Sequence, residues 1–494
     1  MPRSDQSEQR SQNRHTLAGG VWTVAERIIS QVSQFAVFVA AARILSPAEF
    51  GIFALVSTCA LLLVRVAEVA WAPFIMSWGG DEIVPRQVLM FAVLTGAAVG
   101  LLGTGAGLVL PVFGVGQSVG TLTILFSIWV FIATVSSAQK GVMIWRDGLR
   151  GSAIAESVGE VIGMVVALLS LWAGHGVFSL AFGRLAYQST HLAISFAMTR
   201  MMPLPGLRGE PLRALIAYSG QIFSSRMIMN LRLYIATFII GGFLGPAAVG
   251  YFRAAQRLVG AVAEIIGAPS LVIAWSMFRA ARDRHDGKPT GFQAQANIYF
   301  PILLGVAAPV FLWLVLMGED LISGLLGPKW LPALPIVAIL AIARGLLVPS
   351  AATEPILSLS GEVRRLPLFS AALLIVTVVL TTIGAWFGLY AVAWSQVAVG
   401  GVVAVASNRL VRKYGHVHWS GVMAASRPLW IPMLLGAGTM LLLKQTLLFQ
   451  AMPALVRAVV ITVPSTMVYL SALGIASPRL RAMVLSRLHR LLPE

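Results

Sequence analysis

Charged side chains stand within long apolar stretches of this sequence, where each must bind a ligand, form a pair or reach water. Nine arginines have this setting, and five glutamates accompany them. The arginines are Arg27, Arg65, Arg184, Arg226, Arg232, Arg253, Arg257, Arg344 and Arg457, and the glutamates are Glu26, Glu68, Glu156, Glu160 and Glu264. Arginine is permanently charged and binds phosphate through paired hydrogen bonds. The excess of arginine therefore indicates an anionic ligand.

Helical spacing places several of these residues on shared faces. Residues at i, i+4 and i+7 lie on one side of a helix, and two stretches follow this pattern or a similar one: Arg27, Gln31 and Gln34, and Arg253, Arg257 and Glu264. From charge, polarity and depth in the helices we predict a substrate-binding cavity formed by Arg27, Gln31, Arg65, Arg226, Asn230, Arg253 and Arg257. Arg457, close to the end of its apolar stretch, is expected to reach the membrane surface instead.

The carboxylates have two interpretations, which the sequence leaves open. Glu68, Glu156, Glu160 and Glu264 are candidates for proton or ion coupling, or structural partners of the arginines. Arg65 and Glu68 stand at i, i+3 and can form a pair within one helix. Glu156 and Glu160 stand at i, i+4, where like charges repel and favour binding of a proton.

The surrounding composition defines the elements that carry these groups. Apolar residues make up 57% of the 494 residues and charged residues 11%, against roughly 25% charged in a soluble domain. Helices are the expected spanning element, because the apolar runs are about twice the length of a barrel strand. We predict an all-α polytopic membrane protein of about 14 transmembrane helices, at 17–42, 52–75, 87–112, 119–139, 153–173, 177–198, 214–240, 248–276, 292–316, 332–350, 366–387, 389–408, 428–446 and 454–474.

The distribution of the charges that give the net +17 indicates the orientation of the chain in the membrane. With the N-terminus on the cytoplasmic side, 24 of the 36 basic residues fall on that side and three on the other, and nine remain in the spans. This asymmetry is the positive-inside pattern of membrane proteins. It predicts an inner (plasma) membrane protein with both termini cytoplasmic, and it argues against nucleic acid as a partner.

An internal repeat predicts the division of the helices. Residues 43–53 read RILSPAEFGIF and residues 242–252 read GFLGPAAVGYF. The copies are six spans apart and therefore share one orientation, which predicts two parallel six-helix lobes plus two C-terminal helices. The expected divisions are an N-terminal tail 1–16, an N-lobe 17–200, a linker 201–213, a C-lobe 214–413, two helices in 414–475, and a basic tail 476–494.

Few residues suit catalysis, a metal or a cofactor. Cys59 is the single cysteine, so no disulfide forms within the chain, and His416 and His418 are poorly spaced as metal ligands. No phosphate-binding glycine loop of the GxxxxGK type occurs. We expect a transporter without cofactor or metal, monomeric, and not an enzyme.

Two stretches carry a resemblance to a known family. RILSPAEFG at 43–51, after a first helix that contains Trp22, resembles the opening of polysaccharide (O-antigen and exopolysaccharide) flippases, and LLGPKWLPA at 325–333 resembles their loop before the tenth helix. These flippases belong to the multidrug/oligosaccharidyl-lipid/polysaccharide (MOP) exporter superfamily. The resemblance implies alternating access of two six-helix bundles. It also implies a substrate of oligosaccharide on undecaprenyl pyrophosphate, for lipopolysaccharide or exopolysaccharide synthesis, with cavity arginines binding the pyrophosphate.

Two other functions compete with this one. A multidrug or organic-cation antiporter would share the architecture, but it would be expected to reverse the balance of arginine over glutamate. A membrane enzyme such as a polysaccharide polymerase or glycosyltransferase would need a larger outer loop than the predicted ones. Membrane lipids are expected partners of the flippase, and polymerase machinery is a further candidate.

Overall fold

Fourteen long helices make up the computed structural model of the chain, which describes residues 4–206, 210–284 and 291–476. We number the helices in chain order: α1 Ser4–Ile44, α2 Pro47–Glu68, α3 Ile83–Val109, α4 Gln117–Asp147, α5 Leu149–Trp172, α6 Phe178–Thr199, α7 210–244, α8 246–284, α9 Phe292–Leu321, α10 Leu334–Leu347, α11 Arg365–Trp386, α12 Leu389–Gly415, α13 Trp430–Gln445 and α14 Ala454–Ala476. Shorter helical segments occupy Trp71–Ser77, Leu110–Phe113, Ile322–Leu326, Pro328–Ala333, Val348–Ala352, Thr353–Leu359, Trp419–Ser426, Arg427–Leu429 and Leu447–Gln450. The described residues contain no strand, so the predicted fold class is confirmed.

Within the residues that the structure describes, twelve helical stretches are long and apolar enough to cross a membrane. One of them, Met227–Arg284, is 58 residues long and contains parts of two helices, α7 and α8. The remaining long helix, α6, is interrupted by polar side chains but has 22 residues, enough to cross a bilayer. The fourteen helices thus correspond to the fourteen predicted spans. Large apolar side chains such as Leu101, Leu102 and Leu108 are exposed, as expected for surfaces in contact with hydrocarbon.

Each copy of the repeat begins a helix at its proline. In the first, α2 begins at Pro47, and Ser46 forms a capping box with Glu49. In the second, the predicted loop is reduced to a single non-helical residue, Gly245, with φ of 81°. Helix α8 then begins at Pro246, because proline fits the first turn of a helix, where its missing N–H is not needed.

A reciprocal backbone contact joins the two copies. A Cβ atom on Gly51 would lie 1.8 Å from the carbonyl oxygen of Pro246, and one on Gly250 would lie 1.9 Å from that of Pro47. Only glycine fits at either position, because any side chain would overlap the opposite backbone. The proline and glycine shared by the two copies therefore make the same contact from both sides.

The chain forms two compact units. The first comprises 1–241 and 245–250, and the second comprises 242–244 and 251–494. The first unit includes most of α7, so the boundary lies beyond the linker predicted at 201–213, and the division into six-helix lobes stays a prediction. Within the second unit, α13 and α14 pack on α9, and Tyr469 donates a hydrogen bond of 2.5 Å to the carbonyl oxygen of Gly305.

Candidate functional site

The polar face of α1 meets a carboxylate of α5 inside the first unit. Gln34 donates a hydrogen bond of 2.8 Å to Oε1 of Glu160, and Ser30 donates one of 3.1 Å to the same oxygen. Gln31 is half-buried on this helix, and the side chain of Arg27 is exposed. Among the described residues, no carboxylate forms an ion pair with Arg27, so its guanidinium remains accessible to a ligand.

Glu156, one turn before Glu160, has different partners. Its Oε1 lies 3.3 Å from Nζ of Lys140 on α4, and its Oε2 lies 2.9 Å from Nε2 of His191 on α6. The other ring nitrogen of His191, Nδ1, lies 2.5 Å from the hydroxyl of Ser136 on α4. Each of the two glutamates is therefore held by separate side chains from neighbouring helices, and proton binding at this face of α5 stays a prediction.

Ser136, His191 and Glu156 form a continuous polar chain, which we call the histidine chain. It contains the residue types of a hydrolytic triad but not its arrangement, because the serine hydroxyl lies on Nδ1 and the carboxylate on Nε2. Ser136 is fully buried and His191 is 2% exposed, so no substrate carbonyl can reach the hydroxyl. The cluster is therefore unsuited to nucleophilic catalysis.

Arg65 and Glu68 pair within α2 as their spacing predicts. Their side chains lie 2.6 Å apart from Nη1 to Oε2, and the guanidinium is 38% exposed. The carboxylate of Glu68 thus partly neutralises the charge of Arg65, so Arg65 is a weaker candidate for substrate binding than Arg27.

The candidate residues of α7 and α8 fall in separate units. Asn230 is half-buried on α7 in the first unit, whereas the side chain of Arg226 lies outside the described residues. In the second unit, Nη1 of Arg253 donates a hydrogen bond of 3.3 Å to Oε1 of Gln256. Arg257 and Glu264 also belong to the second unit. Arg257 is half-buried, and Glu264 is exposed and close enough to Arg344 for electrostatic attraction.

The second unit contains a buried charge pair that sequence reasoning missed. Arg457 on α14 forms an ion pair and hydrogen bonds with Asp320 on α9, whose side chain is fully buried. The expectation that Arg457 reaches the membrane surface named no partner for this residue, and the structure shows that Asp320 is that partner. Helix α9 continues to Leu321, beyond the predicted end at 316, and this extension places Asp320 inside the packed helices.

His191, Lys140 and Ser136 were also missed as members of a site. Lys140 lies just beyond the span predicted at 119–139, and no spacing pattern joins Ser136 to His191 in the sequence. A usable signal existed in α6, where Gln188, His191, Ser195 and Thr199 follow helical spacing and are all buried. A buried polar stripe on an apolar helix requires partners on its neighbours, but the sequence does not say which ones.

Solved structures share this arrangement of helices. The lipid II flippase MurJ matches with a TM-score of 0.72 at 13% identity, over 94% of this chain and 99% of that protein. A multidrug resistance MATE family transporter of the MOP superfamily matches with a TM-score of 0.64 at 14% identity, over 78% of this chain and 94% of the other. The chain thus has the same fold as MurJ and this MATE family transporter.

Sequence comparison defines the family. The model of the polysaccharide biosynthesis protein family matches residues 40–335, more than half of the chain, and the chain belongs to that family. Succinoglycan biosynthesis transport protein ExoT of Rhizobium meliloti (strain 1021) is 21% identical over 343 residues, which are 69% of this chain and 68% of ExoT. Teichuronic acid biosynthesis protein TuaB of Bacillus subtilis (strain 168) is 28% identical over 140 residues, 28% of this chain and 27% of TuaB.

These comparisons confirm the resemblance drawn from the motifs. The chain belongs to the polysaccharide biosynthesis protein family, is similar to a succinoglycan transport protein and has the fold of solved transporters, and its apolar helices make it a multi-pass membrane protein. The family and the matched structures are transporters rather than enzymes.

Proposed function

We propose that the protein moves an oligosaccharide linked to undecaprenyl pyrophosphate from the inner to the outer leaflet of the bacterial inner membrane, by alternating access of two lobes. The observation that carries this proposal is the excess of arginine within the spans, in a chain whose family serves polysaccharide biosynthesis. A pyrophosphate carries several negative charges and presents oxygens in the geometry that guanidinium groups bind.

Arg27, Gln31, Arg253 and Arg257 are the proposed contacts among the described side chains, with Arg65, Asn230 and Arg226 as further members. The support for Arg27 is strongest, because its side chain is exposed and no described carboxylate pairs with it. A charge in hydrocarbon costs about 2.5–3.5 kcal/mol on the insertion scale. Glu26 lies close enough to Arg27 for electrostatic attraction but forms no ion pair with it, so the guanidinium can still bind an anionic ligand.

The test is flipping of a fluorescent undecaprenyl-pyrophosphate oligosaccharide by purified protein in liposomes. We expect Arg27→Ala and Arg226→Ala each to reduce the rate by about tenfold or more, since loss of one charged hydrogen bond costs about 1.5–3 kcal/mol. Arg27→Lys should retain part of the rate, because lysine keeps the charge but not the paired geometry. Arg279→Ala is the control, because Arg279 is exposed and pairs with Asp283 within its own helix. Unchanged flipping in both alanine variants would overturn the cavity assignment.

A multidrug or organic-cation antiporter is the second candidate, favoured by the likeness to the MATE family transporter. Expression in a drug-sensitive host separates the two functions. The flippase proposal predicts no rise in drug resistance and restored surface polysaccharide in a host that lacks its own flippase. Drug resistance without restored polysaccharide would favour the antiporter.

The proposed orientation places both termini in the cytoplasm. Cys59 is the single cysteine, so a Cys59→Ala background allows single cysteines to be placed and labelled in intact cells. A membrane-impermeant maleimide should label Lys329→Cys, on the proposed outer side, and should fail to label Ser4→Cys. The reverse result would overturn the orientation.

A further inference from the structure

The histidine chain of the first unit has the composition of a proton-binding site. We propose that His191 and Glu156 together hold a transferable proton, and that Ser136 and Lys140 position the pair. The coupling of this proton to transport rests on the flippase function proposed above, whereas the binding of the proton does not. Nothing in the substrate-binding arrangement uses these four residues.

The hydrogen-bonding capacity of Ser136 allows the imidazole to exist in two states. In the neutral state, the hydroxyl donates to Nδ1, which lies 2.5 Å away, and Nε2 carries the hydrogen; Oε2 of Glu156 lies 2.9 Å from Nε2 but is not aligned with that hydrogen. When a proton binds at Nδ1, that nitrogen donates to the serine oxygen and the hydroxyl hydrogen rotates away. The gain of one proton converts imidazole to imidazolium, and no heavy atom has to move.

The contact between His191 and Glu156 is suited to reversible binding of a proton. Nε2 lies 2.9 Å from Oε2 of Glu156, an ion-pair distance, yet it has no partner in the direction of a well-aligned hydrogen bond. A structural histidine buried to this degree would be expected to have both ring nitrogens satisfied. A carboxylate at this distance stabilises the imidazolium when it forms.

Exposure along the chain gives the proton one route to water. Ser136 and His191 are buried, whereas the side chain of Glu156 is 17% exposed and that of Lys140 is 35% exposed. The open end therefore lies at the glutamate and the lysine. The ammonium group of Lys140 compensates the charge of Glu156 while His191 is neutral. The fold therefore tolerates the ionised glutamate without a proton on His191.

Besides Lys140 on α4, the charged and titratable groups around the pair come from three helices. Helix α1 contributes Glu26 and Arg27, α5 contributes Glu160, and α6 contributes Arg184 and Tyr187. Glu160 is already held by hydrogen bonds from Ser30 and Gln34. Arginine does not titrate in proteins. His191 is thus the group of this cluster whose ordinary pKa lies between pH 5 and 8.

Protonation changes the connection between helices as well as the charge. Glu156 joins α5 to α4 through Lys140 and to α6 through His191. An imidazolium strengthens the link between α5 and α6 and adds one positive charge to the unit that contains Arg27. Both changes favour occupancy by an anionic substrate, which is how a proton could bias one stage of a transport cycle.

The first test observes the proton directly. In protein labelled with ¹⁵N on histidine and held in lipid nanodiscs, the ring signals of His191 are identified by their loss in His191→Gln. We expect them to titrate between pH 5 and 8 in the wild type. In Glu156→Gln the midpoint should fall by about one pH unit, a tenfold loss of proton affinity, because the imidazolium loses its carboxylate. His175→Gln, which removes an exposed histidine of a turn, should leave the His191 titration unchanged. An absence of titration over this range, or the same midpoint in Glu156→Gln, overturns the site.

The second test measures coupling. Flipping of a fluorescent undecaprenyl-pyrophosphate oligosaccharide in liposomes is followed with and without a pH gradient. We expect the gradient to raise the wild-type rate severalfold and to have no effect in His191→Gln, while His175→Gln behaves as the wild type. Gradient-driven flipping in His191→Gln overturns the coupling. No flipping by wild-type protein overturns the proposed function instead, and the titration of His191 then still decides whether the proton site exists.

Discussion

The two units of the protein handle buried charge differently. In the first unit, Glu156 is shared between a lysine and a histidine, and its cluster ends at a partly exposed side chain. In the second, Asp320 is fully buried and Arg457 is its ion-pair partner. A histidine can gain or lose a proton near neutral pH, whereas a fully buried carboxylate paired with a permanent cation keeps its charge. With the proton site proposed above, the first cluster has a role in transport and the second a role in stability.

The structural reading fits the position of the Asp320–Arg457 pair. It joins α9 to α14, and close by Lys444 of α13 donates a hydrogen bond of 3.2 Å to the carbonyl oxygen of Leu316. The last two helices looked like an addition to a twelve-helix core. Their polar contacts instead make them part of the second unit.

Removal of Arg457 should have the largest effect. Arg457→Ala leaves the Asp320 carboxylate buried without its cation, and the expected loss of stability is about 3–5 kcal/mol. The measurement is unfolding of the purified protein in detergent by titration with denaturant. The double variant Arg457→Met/Asp320→Leu should recover most of the loss, because it removes both charges. A single variant as stable as the wild type would contradict the structural role of the pair.

The reciprocal glycine contact tests the contribution of close backbone packing to the stability of the first unit. It is the counterpart of the charge pair in the second unit. Gly250→Ala would place a Cβ atom 1.9 Å from the carbonyl oxygen of Pro47, and Gly51→Ala would do the same against Pro246 at 1.8 Å. Each should cost about 1–3 kcal/mol, as overpacking does in other tightly packed sites. Gly105→Ala is the control, since its Cβ would meet nothing within 4 Å. Equal stability of Gly250→Ala and Gly105→Ala would show that the helices adjust freely.

Removal of the Ser136 hydroxyl should have a smaller effect. Ser136→Ala leaves Nδ1 of His191 buried without its partner, at an expected cost of about 1–2 kcal/mol. Ser57→Ala provides the comparison, because that hydroxyl donates only to a backbone carbonyl of its own helix. Both are measured by the thermal unfolding midpoint. A larger loss for Ser57→Ala would mean that the histidine chain contributes little to packing.

Removal of Lys140 should have the smallest effect on stability. Lys140 is 35% exposed, and Glu156 keeps His191 as a partner, so Lys140→Met should cost less than about 1 kcal/mol. Lys444→Met, which removes a similarly exposed lysine of the second unit, should behave alike. A loss from Lys140→Met as large as that from Arg457→Ala would remove the distinction between the two clusters.

The sequence by itself determined the class of fold, the number of helices and the helix-start motif of the repeat. Apolar runs of about twenty residues have one outcome in a bilayer, since a helix satisfies every backbone polar group within itself. Proline and glycine at the repeat constrain the backbone locally. The Arg65–Glu68 pair was equally accessible, because residues three apart on one helix are neighbours whatever the rest of the fold does.

Only the tertiary structure decided which side chains meet across helices. Glu156 and Glu160 stand on one face of α5, yet they contact different helices. Glu160 binds side chains of α1, whereas Glu156 contacts α4 and α6. The partner of Arg457 lies 137 positions earlier in the chain, at the end of a helix longer than its apolar run suggested. Helical periodicity specifies a face but not the helix opposite it, and for that reason the charged residues could be named from the sequence while their pairs could not.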